Sequence, residues 1–162
     1  MYKKRKTLAN LTITLLVLIS GAAVADTKAG QAAMLKGHFA QAFKEFKEDA
    51  DKGIVHAQAT VAVMLHTGQG VKRDLSQAFF WYQKAAEKGH DVGLANVGIM
   101  HYKGVGTQQN DVQAYAWLDV ASQIRGGREH NAKARAASFL SPTQLKTAKK
   151  LAAKYRLKYM AK

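Results

Sequence analysis

Two glycines flank a single glutamine in "GQGVKRD", residues 68–74, and a lysine and an arginine follow them. A glycine turn followed by cations is one way to cradle phosphate, because backbone N–H groups can then converge on an anion. A phosphate loop, however, needs G-x-x-x-x-G-K-[ST] or a glycine fingerprint leaving a strand, and neither is present. Just beyond stand Phe79, Phe80, Trp81 and Tyr82, a set that could form an aromatic ligand platform. Other candidates for chemistry are thin. The six histidines form no H-E-x-x-H and no close pair with metal-ligand spacing. Acidic residues are few, and no pair is spaced for acid–base work. Ser20, Ser76, Ser122, Ser138 and Ser141 lack a nucleophile-elbow context. Cysteine is absent, which removes disulfides, thiolate metal sites and a cysteine nucleophile together. The expectation is a non-enzyme with no catalytic residue, metal or cofactor.

What positions the glycines and the aromatics is a repeat. Shifted by 36 residues, "AQATVAVMLHTGQGVKRD" (57–74) lies on "GLANVGIMHYKGVGTQQN" (93–110) without a gap. Val61 meets Val97, Met64 meets Met100, Gly68 meets Gly104 and Gly70 meets Gly106. Asp74 meets Asn110, Ala78 meets Ala114 and Trp81 meets Trp117. In the other direction Gln41, Ala42, Phe43 and Gly53 precede Gln77, Ala78, Phe79 and Gly89. Self-similarity at a fixed period of this length is the signature of a stacked repeat architecture.

Each unit reads as helix–loop–helix. Val61, Met64 and Leu65 share one face of the first helix by their i, i+3, i+4 spacing. Ala62 and its counterpart Gly98 are small enough for another helix to approach. Gly68 can take the left-handed conformation that ends a helix. Asp74 is an N-cap for the second helix, and Gln77 three residues on completes a capping-box variant; Asn110 and Gln113 repeat the pair. The glycine loop is therefore a cap and connector. Trp81, recurring as Trp117, is read as core or inter-repeat packing.

This pattern resembles the Sel1-like repeat. That repeat has a small residue in its first helix, G-x-G-V followed by an acidic or amide cap, A-x-x-W-Y, and A-A-x-x-G. Residues 57–89 match it very closely. Residues 93–125 match with Thr107 in place of the usual valine and Arg125 in place of the closing glycine, and residues 37–53 match only a second helix. The resemblance implies an all-α fold, a short right-handed solenoid of helix–loop–helix units related to tetratricopeptide repeats, with a helical C-terminal cap. Some secreted members are cysteine-rich and have proposed β-lactam-binding activity. This chain has no cysteine, so those properties do not carry over.

The ends of the array read differently. "MYKKRK", an apolar run and "AVA" before Asp26 have the order of a secretory signal peptide over residues 1–25, so the mature protein is expected to be exported, periplasmic or secreted. Residues 26–36 form an N-terminal capping segment, 37–125 the repeat array, and 126–162 a basic helical extension. "SPTQ" starts its last helix cleanly, with Ser141 as N-cap, Pro142 at N1 and Gln144 at N3. There Leu145, Ala148, Leu151, Ala152, Tyr155 and Tyr159 fall on one arc, with Lys146, Lys150, Lys154 and Lys158 opposite. The helix is either a docked cap or a basic amphipathic element for an anionic surface, and its alanine-rich arc without Trp or Phe favours docking.

The formal net charge is +14, of which Lys3, Lys4, Arg5 and Lys6 belong to the leader. An exported basic protein meets anionic lipid, polysaccharide or an acidic partner rather than nucleic acid. The reading is an exported protein–protein interaction module, an adaptor or scaffold for a protein or peptide in the bacterial envelope. Two alternatives stand beside it: an enzyme or binder of cell-wall or β-lactam chemistry, and a lipid- or polysaccharide-associating protein using helix 142–160. The resemblance puts the partner on the first helix of each unit. Its positions off the core face are Thr60, Val63 and His66, then Asn96, Ile99 and Tyr102, and these are expected to be exposed.

Overall fold

Alanine, leucine and other helix-favouring residues fill the stretches between the glycines. The computed structural model describes residues 27–125 and 128–160, and these hold eight helices and no strand. The expected leader, residues 1–25, lies outside the described residues. A first pair is α1 (Lys28–Leu35) and α2 (Phe39–Asp51). The two full units are α3 (Val55–Thr67) with α4 (Leu75–Ala86), and α5 (Asp91–Lys103) with α6 (Asp111–Arg125). The extension holds α7 (Arg128–Ser138) and α8 (Pro142–Tyr159). Each helix packs on its predecessor from α1 to α7, and α8 folds back onto α6.

The core repeats with the sequence. Ala42, Ala78 and Ala114 are fully buried in the three second helices, as are Val61, Val97, Met64 and Met100 in the first helices. Phe46, Tyr82 and Leu118 occupy one equivalent core position and change size from unit to unit. At Gly98 a Cβ would stand 2.7 Å from Leu118 Cγ, so the missing side chain lets α6 press against α5. At the N-terminal end α1 completes a shortened unit. Thr27 is fully buried and its hydroxyl accepts from the Gln31 amide at 3.0 Å, while Gly30 lies flat on the Phe46 ring.

The caps hold in part. Asp74 accepts from the Gln77 backbone N–H at 2.9 Å, and Asn110 from that of Gln113 at 3.0 Å. The reciprocal half of the expected capping box is missing in both. The Asp74 N–H already donates to the Leu65 carbonyl and the Asn110 N–H to that of His101, so each loop is tied to the last turn of the helix before it. Of the three expected pairs, Ser141 and Gln144 make the complete box. Asp74→Ala should therefore cost about 1 kcal/mol, the usual value of a lost N-cap. A urea melt of the variant measures it.

One carboxylate of the array is shared by both helices of the extension. Asp119 on α6, 8% exposed, accepts from Lys133 of α7 at 3.2 Å and from Arg156 of α8. The ring of Trp117 is covered by Tyr155 (centroids 4.3 Å apart) and stacked by Tyr159 (5.4 Å, 19° between planes). The Tyr155 hydroxyl donates to Gln113 at 2.8 Å. Of the expected apolar arc, Ala148, Ala152 and Tyr159 are buried, whereas Leu145, Leu151 and Tyr155 are half-buried. The last helix is thus docked through its tyrosines. Among the described residues no helix is long and apolar enough to cross a membrane.

Candidate partner-binding surface

The first helices α3 and α5 carry the six positions assigned to a partner, and the structure separates them into three groups. Thr60 is buried, 7% exposed, because its hydroxyl is satisfied by the His56 carbonyl at 2.9 Å. The expectation of an exposed Thr60 is corrected on that ground: a threonine that bonds back to the preceding turn buries no unpaired donor. Ile99 and Tyr102 are half-buried. They pack on a small cluster of Ala114, Leu118 and Ala136, and the Tyr102 ring lies 6.4 Å from that of Phe139. Ala136 belongs to α7, which runs beside α5 where a following unit would place its own first helix. The exposed face expected at Ile99 and Tyr102 is therefore partly taken by the chain itself.

Val63, His66 and Asn96 are half-buried too, with different neighbours. Val63 is half-buried against the main core. The Asn96 amide donates to the Val92 carbonyl at 2.8 Å. His66 meets Tyr82 edge-on at 6.0 Å. Burial holds its imidazole below the usual pKa, and the charges of Arg73 and Lys103 push the same way. Arg73 is fixed in place, since its Nε donates to the His66 carbonyl at 2.9 Å. This part of the face thus pairs a neutral imidazole with two cations. Sequence reasoning did not assign Arg73 or Lys103 to the partner surface, although each sits beside a G-x-G loop in its own unit.

His101 is held by packing: its ring meets Phe79 edge-on at 5.1 Å, and burial lowers its pKa. Among the described residues no three His, Asp or Glu side chains gather to hold a metal ion. Gly68 and Gly104 end α3 and α5 in the left-handed conformation, and Trp81 and Trp117 are both buried. The outer face of α8 is a second surface. Lys146, Lys149 and Lys150 rim a shallow depression floored by Pro142, Leu145 and Ala153, and Leu157 stands 76% exposed.

Helix pairs stacked at a fixed period, with packing residues repeated and first-helix surface residues varied, define an α-solenoid repeat protein. Residues 55–90 and 92–123 each match the Sel1 repeat family. Its fold is similar to that of a protective antigen present in uropathogenic Escherichia coli strains and displaying an SLR fold. That likeness has a TM-score of 0.76 and 31% identity, and it covers 86% of this chain and 31% of the E. coli chain. A Sel1 repeat protein from Oxalobacter formigenes shares the fold with a TM-score of 0.60 and 23% identity, over 83% of this chain and 99% of that one. No curated protein matches the chain.

Proposed function

We propose that this protein is an exported adaptor that binds a protein or peptide partner in the bacterial envelope and carries out no catalysis. Sel1 repeat proteins generally mediate protein–protein interaction. The observation that carries the reading is the contrast within each unit. Packing positions recur every 36 residues, whereas the first-helix surface changes from Val63 and His66 to Ile99 and Tyr102. A scaffold needs the first set constant and leaves the second free for individual contacts. With Ile99 and Tyr102 under α7, the contact surface centres on Val63, His66 and Asn96, edged by Arg73 and Lys103. Export rests on the basic–apolar–AVA order at residues 1–25.

The test has two arms. N-terminal sequencing of the exported form is expected to begin at Asp26; a retained full-length chain overturns export. A partner captured on the exported protein is then titrated against a Val63→Glu/His66→Glu variant shown by circular dichroism to be folded. A loss of about tenfold or more in affinity is expected for residues central to an interface. Unchanged affinity moves the contact away from the first helices. A second reading has one observation behind it, the lysine-rimmed face of α8 with Leu157 exposed. Such a face suits anionic lipid or polysaccharide. Binding to vesicles containing phosphatidylglycerol that weakens with added salt would favour it.

A further inference from the structure

The seat that α8 occupies on the second unit has an unfilled counterpart on the first. Three of its points repeat at a spacing of 36 residues: Gln113, Trp117 and Gly89 correspond to Gln77, Trp81 and Gly53. In the filled seat the Tyr155 hydroxyl bonds to Gln113 and Tyr159 stacks on Trp117. The Tyr159 carbonyl comes so near Gly89 that a Cβ there would stand 2.6 Å from it. Among the described residues no tyrosine from another helix stacks on Trp81, and at Gly53 the Lys88 ammonium donates to the carbonyl at 2.6 Å. An open groove of about 640 Å³ lies there, bounded by α2, α4 and the end of α8. Gln77 is exposed, and the Trp81 Nε1 is buried without an acceptor. Gln58, 3% exposed, lines the same groove, and its Oε1 also lacks a donor.

The two seats differ in charge. Val120 and Ile124 in the second unit are replaced by Lys84 and Lys88 in the first. Lys158, from the end of α8, adds a third cation to the groove wall. Two carboxylates also line the groove: Asp51 is paired with Lys47 at 2.6 Å, and Glu87 accepts from the Gln83 amide at 3.2 Å. Where Tyr155 and Tyr159 cover Trp117, Trp81, itself 6% exposed, lies under the Lys47 ammonium at 5.1 Å and beside Phe80. Phe80 is itself 46% exposed, and its counterpart in the second unit is Ala116.

We propose that this groove docks an acidic amphipathic helix from a partner protein, which presents two tyrosines one turn apart as α8 presents Tyr155 and Tyr159. The tyrosines would take Trp81 and Gln77 as their counterparts take Trp117 and Gln113, and the helix's carboxylates would meet Lys84, Lys88 and Lys158. A second copy of this chain is the wrong occupant, because its own α8 would bring lysines to lysines. The surface shares no residue with the first-helix face of the proposed adaptor site, so either can fail without the other.

The test titrates the full chain with synthetic peptides of sequence 142–160. In the first peptide, glutamate replaces every lysine and Arg156. A second is the same with both tyrosines changed to alanine, and the third is the native basic sequence. Fluorescence anisotropy reads affinity, and the indole N–H resonances of Trp81 and Trp117 report the site. The expected result is binding of the acidic tyrosine peptide with a shift at Trp81 and none at Trp117. Loss of the tyrosines, reversal of charge in the basic peptide, or Lys84→Glu/Lys88→Glu in the protein should each weaken binding about tenfold or more. Failure of the acidic peptide to bind overturns the proposal. So does equal affinity of the tyrosine-free peptide, which leaves only charge attraction, or of the basic peptide, which makes the groove a self-association site. A shift at Trp117 instead of Trp81 places the peptide in the seat of α8 and overturns it as well.

Discussion

Trp117→Ala should destabilise the protein by about 3–5 kcal/mol, the range for truncating a buried aromatic. Trp117 is 4% exposed and belongs to the main core, yet its ring is also the platform for α8. Removing it takes away the stacking of Tyr155 and Tyr159 together with the packing beneath. The Arg156–Asp119 pair and the Tyr155–Gln113 bond then act without the apolar contact that shields them. Hydrogen exchange should show α8 losing protection first, while α3 and α4 keep theirs. A denaturant melt that places the cost below about 1 kcal/mol would mean that α8 is seated by its polar contacts alone.

Gly106→Ala should cost about 2–5 kcal/mol, combining two penalties of separate origin. Gly106 has φ +71°, where an L-residue loses about 1–2 kcal/mol. A Cβ there would also press on the Leu75 carbonyl group, with its carbon at 2.7 Å and the Met100 methyl at 2.8 Å. Leu75 opens the second helix of the preceding unit, so relief requires the two units to move apart and adds about 1–3 kcal/mol of overpacking. Gly70 makes the equivalent approach to Phe39, the first residue of α2. Gly37 separates the two penalties: it has φ +76° with nothing within 4 Å, so Gly37→Ala should show only the conformational one. Thermal melts of the two variants decide the matter. Equal losses would show that the loop contact between units contributes nothing.

How much of this was legible beforehand depended on the range of the interaction. The sequence alone determined the helix pairs, the repeat phase, the core positions Val61, Met64, Ala78 and Trp81 with their counterparts, and the caps at Asp74, Asn110 and Ser141. All of these follow from periodicity along one helix or from a bond spanning three or four residues, and both are written in the order of residues. The first glycine of each G-x-G loop was legible for the same reason, since a C-cap is local. Its partner was not. Gly70 and Gly106 are needed because a backbone more than 30 residues earlier comes against them.

The candidate site divides along the same line. Helical spacing placed Thr60, Ile99 and Tyr102 off the core face of their own helices. What reaches those positions from elsewhere was decided by the tertiary structure. The chain beyond α6 breaks the repeat phase, so no counterpart 36 residues away said where α7 would lie. It lies over Ile99 and Tyr102 because Ala132 and Ala136 are small enough for close approach and Lys133 reaches Asp119. The tyrosine spacing of α8 was visible as an apolar arc. That the arc would close over Trp117 rather than Trp81 goes with the pairing of Arg156 with Asp119, whose counterpart in the first unit is the uncharged Gln83.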